Sequence, residues 1–287
     1  KKGYLNCSLA FSTMGRLTFV AITIALVLCA TVANAGLTCR DENNQPVDWF
    51  LYYKMPHFDI YFNSDDSGLN YAYVDANKYD SWKLDYHYIN STDTAFSYTL
   101  SQLTTETLKE TASVFWNDSP LNTEYSWGYA HSKGFFVTEE DTGIYVPHSF
   151  PNFPSFLDDG SFNPYLSMQD VWFGNYMLCM NMSGSDINTL AENLRINFPR
   201  VFGGNFPESF GDNLPSVKDY LNEVPRPGVK GIIDLQSSGG LQFTNFAHNA
   251  TMDVFFYEEV LAPYYEIDIM VEGWGRPYME TFCKPEH

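Results

Sequence analysis

The chain has 287 residues, of which 16 are Lys or Arg and 35 are Asp or Glu, so its net charge is −19 with neutral histidines. Such an acidic excess is poorly suited to holding a polyanion at neutral pH, where proteins that bind nucleic acids are usually basic. It leaves open another class of ligand, or a site that works in acid, where imidazoles with an unperturbed pKa of about 6.5 are charged. Acidity that only keeps a secreted protein soluble is a third explanation.

Met14–Ala35 has the features of a secretory signal peptide. One arginine is followed by the apolar run Leu17–Ala30 and then by Ala33-Asn34-Ala35, the small-residue pattern of a cleavage site. A membrane anchor is the alternative, but the run is barely long enough to span and has no basic flank after it. We therefore expect residues 1–35 to be upstream residues plus a leader, and the mature form to be secreted or lysosomal with no membrane segment.

Apolar runs bounded by turn residues predict strands along the rest of the chain. The predicted strands are Val47–Lys54, Tyr125–Val137, Gly143–His148, Val171–Met182, Gly240–His248 and Glu266–Trp274. Mixed strands and helices in this order predict an α/β or α+β sandwich of sheet and helices.

Two helices are predicted between these strands. Ser185 or Asp186 caps the first, whose core-facing stripe at helical spacing is Ile187, Leu190, Ala191 and Leu194. The second covers Met252–Leu261 and ends before Pro263. The Gly- and Pro-rich stretch Val201–Pro227 predicts a connector, which divides the chain into a first half over residues 36–200 and a second part over residues 201–287.

The tripeptide His131-Ser132-Lys133 carries the strongest chemical signal. In a strand, residues i and i+2 share a face, so the imidazole and the ammonium would project together. Such a pair suits a phosphodiester, because the ring can attack phosphorus or move a proton while the lysine offsets charge on the non-bridging oxygens. The tripeptide alone is weak evidence, since most histidines in strands are structural.

Cysteines and sequons agree with export. Without the leader, Cys39, Cys179 and Cys283 remain, an odd number that predicts one disulfide and one thiol that is unpaired or lacks its partner. A sequon at Asn117 is less suitable for a glycan because proline follows its serine. The predicted glycosylation sites are Asn90, Asn181 and Asn249.

Several ordered blocks resemble the deoxyribonuclease II family, the acid DNases of lysosomes and secretions. Cys39 is followed by a Pro-Val-Asp-Trp-Phe block at residues 46–50 and by Tyr53-Lys54-Met55-Pro56. Ala130-His131-Ser132-Lys133-Gly134 and the His-Ser-Phe-Pro-Asn-Phe-Pro block at residues 148–154 come next, and Phe243–Ala247 matches a segment of the second half. The resemblance extends over residues 37–283.

This resemblance implies a phospholipase-D-like fold of two pseudo-repeated halves, the second incomplete here. It implies a DNA substrate, cut endonucleolytically without divalent metal or other cofactor to leave 3′-phosphate ends. His131 would be the active-site histidine, Lys133 its phosphate-neutralising partner, and Cys39 would pair with Cys179.

His148 has two possible roles, a phosphate contact or a hydrogen-bonded structural histidine at a strand end. Together with Asn152, it is predicted to bind substrate, although Asn152 would also pin the following loop. The spacing of His57, His87 and His248 does not suggest a zinc site.

The family pattern has two HxK histidines facing each other, whereas residues 131–133 are the single HxK here. Three expectations follow: a sequence truncated before the second motif, a catalytically inactive secreted relative that binds nucleic acid or a host partner, or a homodimer that pairs two His131 side chains. An acid endonuclease is the leading expectation.

Overall fold

A computed structural model describes residues 36–57, 68–85, 88–121, 128–156, 162–163, 171–249, 251–252 and 255–271. The predicted leader, His87 and Cys283 lie outside these ranges. Within them, no helix is long and apolar enough to cross a membrane.

The described residues contain runs of strands separated by short helices. The strands are β1 Trp49–Lys54, β2 Tyr71–Asp75, β3 Lys83–Asp85, β4 Ala112–Asn117, β5 Lys133–Thr138, β6 Thr142–Pro147, β7 Ser155–Phe156, β8 Phe162–Asn163, β9 Asn175–Ser183, β10 Val201–Asn205, β11 Lys230–Gln236 and β12 Gln242–His248. The α-helices are α1 Ala95–Leu100, α2 Thr105–Glu110, α3 Gly184–Leu194, α4 Pro215–Leu221 and α5 Ala262–Tyr265.

Eight strands form one sheet in the order β10-β4-β5-β6-β9-β1-β2-β3, and every neighbouring pair is antiparallel. In this order the end of β4, the start of β5, the end of β6 and the start of β9 come together at one end of the sheet. Loops that leave this end therefore meet there, although they are far apart in sequence.

Both faces of the sheet are buried. On one face Phe50, Phe115 and Phe135 pack with the residues of α1 in the first core cluster. On the other face, Phe136 and Met180 pack beneath α3 and α4 in the second. Because α3 and α4 cover one face and α1 with the N-terminal segment covers the other, the central strands are apolar on both sides, and all six residues of β4 are buried.

Most predicted strands in the sheet are confirmed with shifted ends: β1, β6 and β9 all overlap their predictions, and so does β12 of the separate β11–β12 hairpin. The last predicted strand is wrong over its described part, because residues 266–271 contain turn and irregular backbone. The predicted helix at Met252–Leu261 is instead a π-helical turn, Phe256–Leu261, that continues into α5 past Pro263.

The N-cap of helix α3 lies two residues before Ser185 and three before Asp186, the two predicted caps. Ser183 is the N-cap, and its hydroxyl accepts a hydrogen bond from the amide of Asp186 and donates one to the Asp186 carboxylate. The hydroxyl thus satisfies one of the free amides of the first turn, and the helix starts at the end of β9 without a loop. The predicted apolar stripe is confirmed, since Ile187, Leu190, Ala191 and Leu194 are all buried in the second cluster.

The stretch Val201–Pro227, predicted to be a connector, also contains a strand and a helix of the fold. It supplies β10, which pairs with β4 at the edge of the sheet, and α4, whose Val217 and Tyr220 are buried against the sheet. Its glycines allow close backbone approach: a Cβ on Gly204 would lie 2.3 Å from the carbonyl oxygen of Ser113. The division of the chain into two pseudo-repeated halves stays a prediction.

Candidate active site

The ends of β4 and β5 bring an acidic and a basic side chain together. Asn117, the last residue of β4, lies opposite Lys133, the first residue of β5. Asp118 follows directly, and its Oδ1 accepts a hydrogen bond from the Nζ of Lys133. The Lys133 and Asp118 side chains are only 7% and 5% exposed. The pair is therefore buried, and removal of either partner would leave an uncompensated charge in the interior.

His131 lies beside this pair on the solvent side. Its Nε2 is 3.7 Å from Oδ2 of Asp118, while its side chain is 85% exposed. The prediction of a strand that contains His131 is wrong, because β5 begins at Lys133 and residues 128–132 form a turn closed by a hydrogen bond from Ser132 N to Ala130 O of 2.8 Å. The imidazole and the ammonium converge because both face the carboxylate of Asp118, and strand alternation is not the cause.

Asp118 is the site residue that the sequence reasoning missed. It stands in Asn117-Asp118-Ser119-Pro120, a cluster of turn-forming residues directly after an apolar run. That pattern predicts a loop at the end of a strand, and loops at strand ends often carry functional side chains. The only prediction for this segment from the sequence was the sequon at Asn117, which carries no information about Asp118.

Asn117 itself is structural. Its side chain is fully buried, and its Nδ2 donates to the carbonyl oxygens of Phe150 and Phe153 at 3.2 and 2.8 Å. Its Oδ1 accepts from the amide of Ser119 at 2.8 Å. The amide therefore joins the turn that carries Asp118 to the loop after β6, and no glycan fits there.

His148 is buried beneath the site at 2% exposure, among the rings of Phe135, Phe150 and Phe153. Its Nδ1 accepts a hydrogen bond from the amide of Phe150 at 3.2 Å, and its own amide donates to Lys133 O at 3.2 Å. Burial, and secondly the charge of Lys133, lowers its pKa to about 3. Of the two expected roles, the structural one agrees with this burial.

Asn152 occupies a turn after β6. Its φ is 57°, in the left-handed region that asparagine tolerates better than most residues, and its amide donates to Ser119 O at 2.8 Å. The residue is half-buried. These contacts agree with the expectation that it pins the loop, and its predicted contact with substrate stays a prediction.

Comparison with known proteins decides the family. The family model for deoxyribonuclease II matches residues 38–287. The chain belongs to the deoxyribonuclease II family. The resemblance seen in the sequence blocks is thereby confirmed, and the mixed α/β architecture with its large antiparallel sheet is consistent with the phospholipase-D-like fold expected for the family.

Three relatives illustrate the similarity. Cell death-related nuclease 6 of Caenorhabditis elegans is 29% identical over 283 residues, covering 92% of this chain and 71% of that protein. Deoxyribonuclease-2 of the same organism is 26% identical over 291 residues, covering 89% and 75%. Deoxyribonuclease-2-beta of Rattus norvegicus is 27% identical over 259 residues, covering 88% and 70%. Their names are those of nucleases, which gives no support to the expectation of a catalytically inactive binding protein.

The disulfide that the deoxyribonuclease II resemblance implied is present between Cys39 and Cys179. Asn181 braces the same segment: its Oδ1 accepts from Cys39 N at 2.7 Å, and its Nδ2 donates to Thr38 Oγ1 and Val47 O, both at 2.9 Å. A glycan on this nitrogen would displace one of these bonds. The prediction of a glycan at Asn181 therefore conflicts with the fold.

The other two predicted glycosylation sites lie nearer the surface. Asn90 is exposed in a turn. Asn249 is half-buried, with its Nδ2 donating to Gly228 O at 2.7 Å. Glycosylation at both positions stays a prediction, with Asn90 the more accessible of the two.

Lys54 is a second buried lysine at the same end of the sheet as Lys133. Its Nζ donates to the carbonyl oxygens of Gly68 at 2.9 Å and Phe173 at 2.7 Å, with Met55 O and Val171 O at 3.1 and 3.3 Å. The ammonium thus joins three separate loop segments of this deoxyribonuclease II chain. A charged residue at the end of an apolar strand was the sequence signal for this role.

Proposed function

We propose that this chain is an acid endonuclease that hydrolyses DNA phosphodiesters without a divalent metal and leaves 3′-phosphate ends. The observation that carries the proposal is the cluster of His131, Asp118 and Lys133 at one end of the sheet. It places an exposed imidazole next to a buried carboxylate that also binds an ammonium. Membership of the deoxyribonuclease II family supports DNA as the substrate.

His131 is the nucleophile in this proposal. Its Nε2 faces Asp118, which favours the tautomer with the proton on Nε2 and leaves Nδ1 for phosphorus. Attack forms an N–P bond and breaks the P–O5′ bond, with the leaving oxygen taking a proton from a general acid. Water then forms a new O–P bond, the N–P bond breaks, and the product carries the 3′-phosphate.

Lys133 stabilises the charge that develops on the non-bridging oxygens. Its ammonium has three N–H donors, one of which donates a hydrogen bond to Asp118. Because this bond and the surrounding chain hold the ammonium in position, it needs little rearrangement when the phosphoryl group arrives. A cation fixed in this way supplies the electrostatic part of the role that a metal ion has in other nucleases.

Acid operation follows from charge and from the leaving group. The net charge of −19 repels DNA at neutral pH, and protonation of carboxylates and imidazoles in acid reduces this repulsion. A general acid of the imidazole type also needs its proton to assist the leaving oxygen. The proposed place of action is accordingly a lysosome or an acidic secretion.

The general acid is a second imidazole. His131 is the exposed histidine beside Asp118 in the described cluster, so the other ring has to come from outside this cluster, either from a further HxK segment of the same protein or from a second copy of the chain. This arrangement balances the proton in both steps, because the acid of the first step becomes the base that activates water in the second.

Plasmid nicking at pH 5 in the presence of a chelator tests the proposal. We expect His131→Ala to lower the rate at least about 1,000-fold, as loss of a nucleophile usually does. His248→Ala is the matched control, because His248 is an exposed histidine at the end of β12 and lies outside the cluster. Its rate is expected to equal that of the wild type.

Two outcomes would contradict the proposal. Retained nicking in His131→Ala would remove the assigned nucleophile. Activity that disappears in chelator and returns with magnesium would indicate metal-assisted chemistry instead.

A further inference from the structure

The turn between α3 and β10 contains an unusual backbone conformation. Phe198 has a φ of 58° and ψ of 60°, in the left-handed region, where a bulky side chain is rare. Its ring is 40% exposed, so burial of the ring does not explain the conformation. Such residues persist when the surrounding structure fixes them, and they concentrate at functional sites.

The left-handed conformation directs Phe198 toward the turn that carries His131. Its carbonyl oxygen accepts a hydrogen bond from Ala130 N at 3.0 Å. Its ring stacks on that of Tyr129, with centroids 5.2 Å apart and planes 8° from parallel. The two residues before His131 are thus held by the backbone and the side chain of one residue.

Two positions further along, the same turn also holds Asp118. Arg200 O accepts a hydrogen bond from Asn117 N at 3.0 Å, and the Arg200 guanidinium lies 5.9 Å from the centroid of the Tyr129 ring. The residue before His131 and the residue before Asp118 therefore donate their amides to carbonyls two residues apart. One short turn sets the distance between the imidazole and the carboxylate.

We propose that Phe198 and Tyr129 are positioning residues that hold His131 against Asp118 for attack on phosphorus. This inference rests on the proposed function. His131 has few contacts of its own, since its side chain is 85% exposed and its described ion contact is the one at 3.7 Å. Accurate placement of such a ring must come from the backbone that carries it, and small misplacements of reacting groups cost large factors in rate.

The informative variant is Phe198→Gly. Glycine adopts the left-handed conformation without strain, so the turn keeps its path while the stacking ring is lost. Phe198→Tyr is the conservative variant that keeps the stack. Glu266→Gly is the matched control, because Glu266 also has a positive φ, 53°, and lies exposed at the end of α5, outside the site.

Two readouts follow the loop and the reaction separately. In hydrogen exchange measured by mass spectrometry, we expect the amides of residues 128–132 to exchange about tenfold faster in Phe198→Gly, because the turn opens more often. In plasmid nicking at pH 5, we expect kcat to fall roughly 10- to 100-fold with little change in KM, since DNA binding elsewhere is intact. Phe198→Tyr restores both values, and Glu266→Gly changes neither.

Unchanged exchange in Phe198→Gly would overturn the inference, and so would a loss of kcat that Phe198→Tyr fails to restore. Failure of the proposed function has a different signature. Nicking that survives His131→Ala would show that His131 does not take part in the reaction, so Phe198 and Tyr129 could not position it for catalysis. In that case, altered exchange of residues 128–132 would show only that the Phe198 ring has a structural contact with the turn. The exchange measurement needs no turnover and decides by itself whether the Phe198 ring holds the loop.

Discussion

Lys133 and Asp118 form an ion pair in which both side chains are almost completely buried, at the point where β4 ends and β5 begins. The exposed imidazole of His131 lies against the other oxygen of the same carboxylate. Asp118 therefore has two tasks in the proposed site: it binds the cation from inside and orients the histidine from the solvent side.

Asp118→Asn is expected to destabilise the protein by about 3 kcal/mol or more, because the Lys133 ammonium would remain buried without its counter-charge. Urea denaturation at pH 7 measures the change. The control is Asp219→Asn, which breaks the 2.8 Å ion pair with Arg195 at a carboxylate that is 45% exposed. Exposed pairs contribute less than about 1 kcal/mol. Equal losses in the two variants would show that Asp118 is not a buried partner.

His148 makes stability depend on pH. Its pKa is about 3 in the folded protein, whereas an unfolded histidine has a pKa of about 6.5. Above a pH of about 6.5, this histidine is neutral in both the folded and the unfolded state. Between about 6.5 and 3, it is protonated in the unfolded chain but stays neutral in the folded protein. Stability is therefore lost as the pH falls from about 6.5 toward 3, by at most roughly 1.4 kcal/mol per pH unit.

His148→Asn tests this dependence, because the asparagine oxygen can accept the Phe150 amide in place of Nδ1 and does not titrate. Its unfolding free energy should fall less steeply than that of the wild type between pH 7 and pH 4. His248→Asn, at an exposed histidine, should leave the slope unchanged. Parallel curves for His148→Asn and wild type would contradict the buried neutral state.

The Cys39–Cys179 disulfide joins residues 140 positions apart. Replacing both cysteines with serine should lower stability by roughly 3–5 kcal/mol, since the crosslink restricts the unfolded chain over a long loop. Urea denaturation of the purified protein measures the loss, and Cys283→Ser provides a control for removal of a cysteine as such. A loss in the control as large as in the double variant would indicate that Cys283 is also paired.

Asn90 and Asn181 should respond differently to substitution by glutamine. Asn90→Gln is expected to remove a glycan from the protein with little change in stability, because the residue is exposed in a turn. Asn181→Gln is expected to cost about 1–3 kcal/mol through its lost bonds to the Cys39 segment, with no change in glycan mass. Glycosidase treatment followed by mass spectrometry, together with urea denaturation, separates the two. A glycan on Asn181 would contradict its place in the fold.

The strands at the centre of the sheet were largely predictable, but β4 was missed. Ala112–Asn117 is buried on both sides, so it lacks the alternation of a half-buried strand, and turn residues mark only its C-terminal end. Missing β4 also meant missing Asp118, because the residue gains its meaning from the strand that it follows. The role of the buried carboxylate follows only from the pairing of β4 with β5, which brings Asp118 next to Lys133.

The sequence predicted that His131 and Lys133 lie close together, but the cause of their proximity in the structure is a different one. Strand alternation predicted a shared face, whereas His131 lies in a turn and meets Lys133 through Asp118. Likewise, β10 was not expected within Val201–Pro227, because its glycines resemble those of a connector. Patterns within one segment do not report which strands pair: Asp118 meets Lys133 across the β4–β5 pair, 15 positions apart, and β10 pairs with β4, which lies far earlier in the chain.

The ammonium of Lys54 has a ligand set that otherwise suits a monovalent ion, because four carbonyl oxygens from three loop segments surround it. The occupancy of such a site by a dissolved potassium or sodium ion would change with the salt concentration of the surroundings. A cation attached to the backbone by its own side chain has no dissociation equilibrium with the solvent, and its burial protects it from screening. The loops at this end of the sheet should therefore keep their arrangement in fluids of widely different ionic strength.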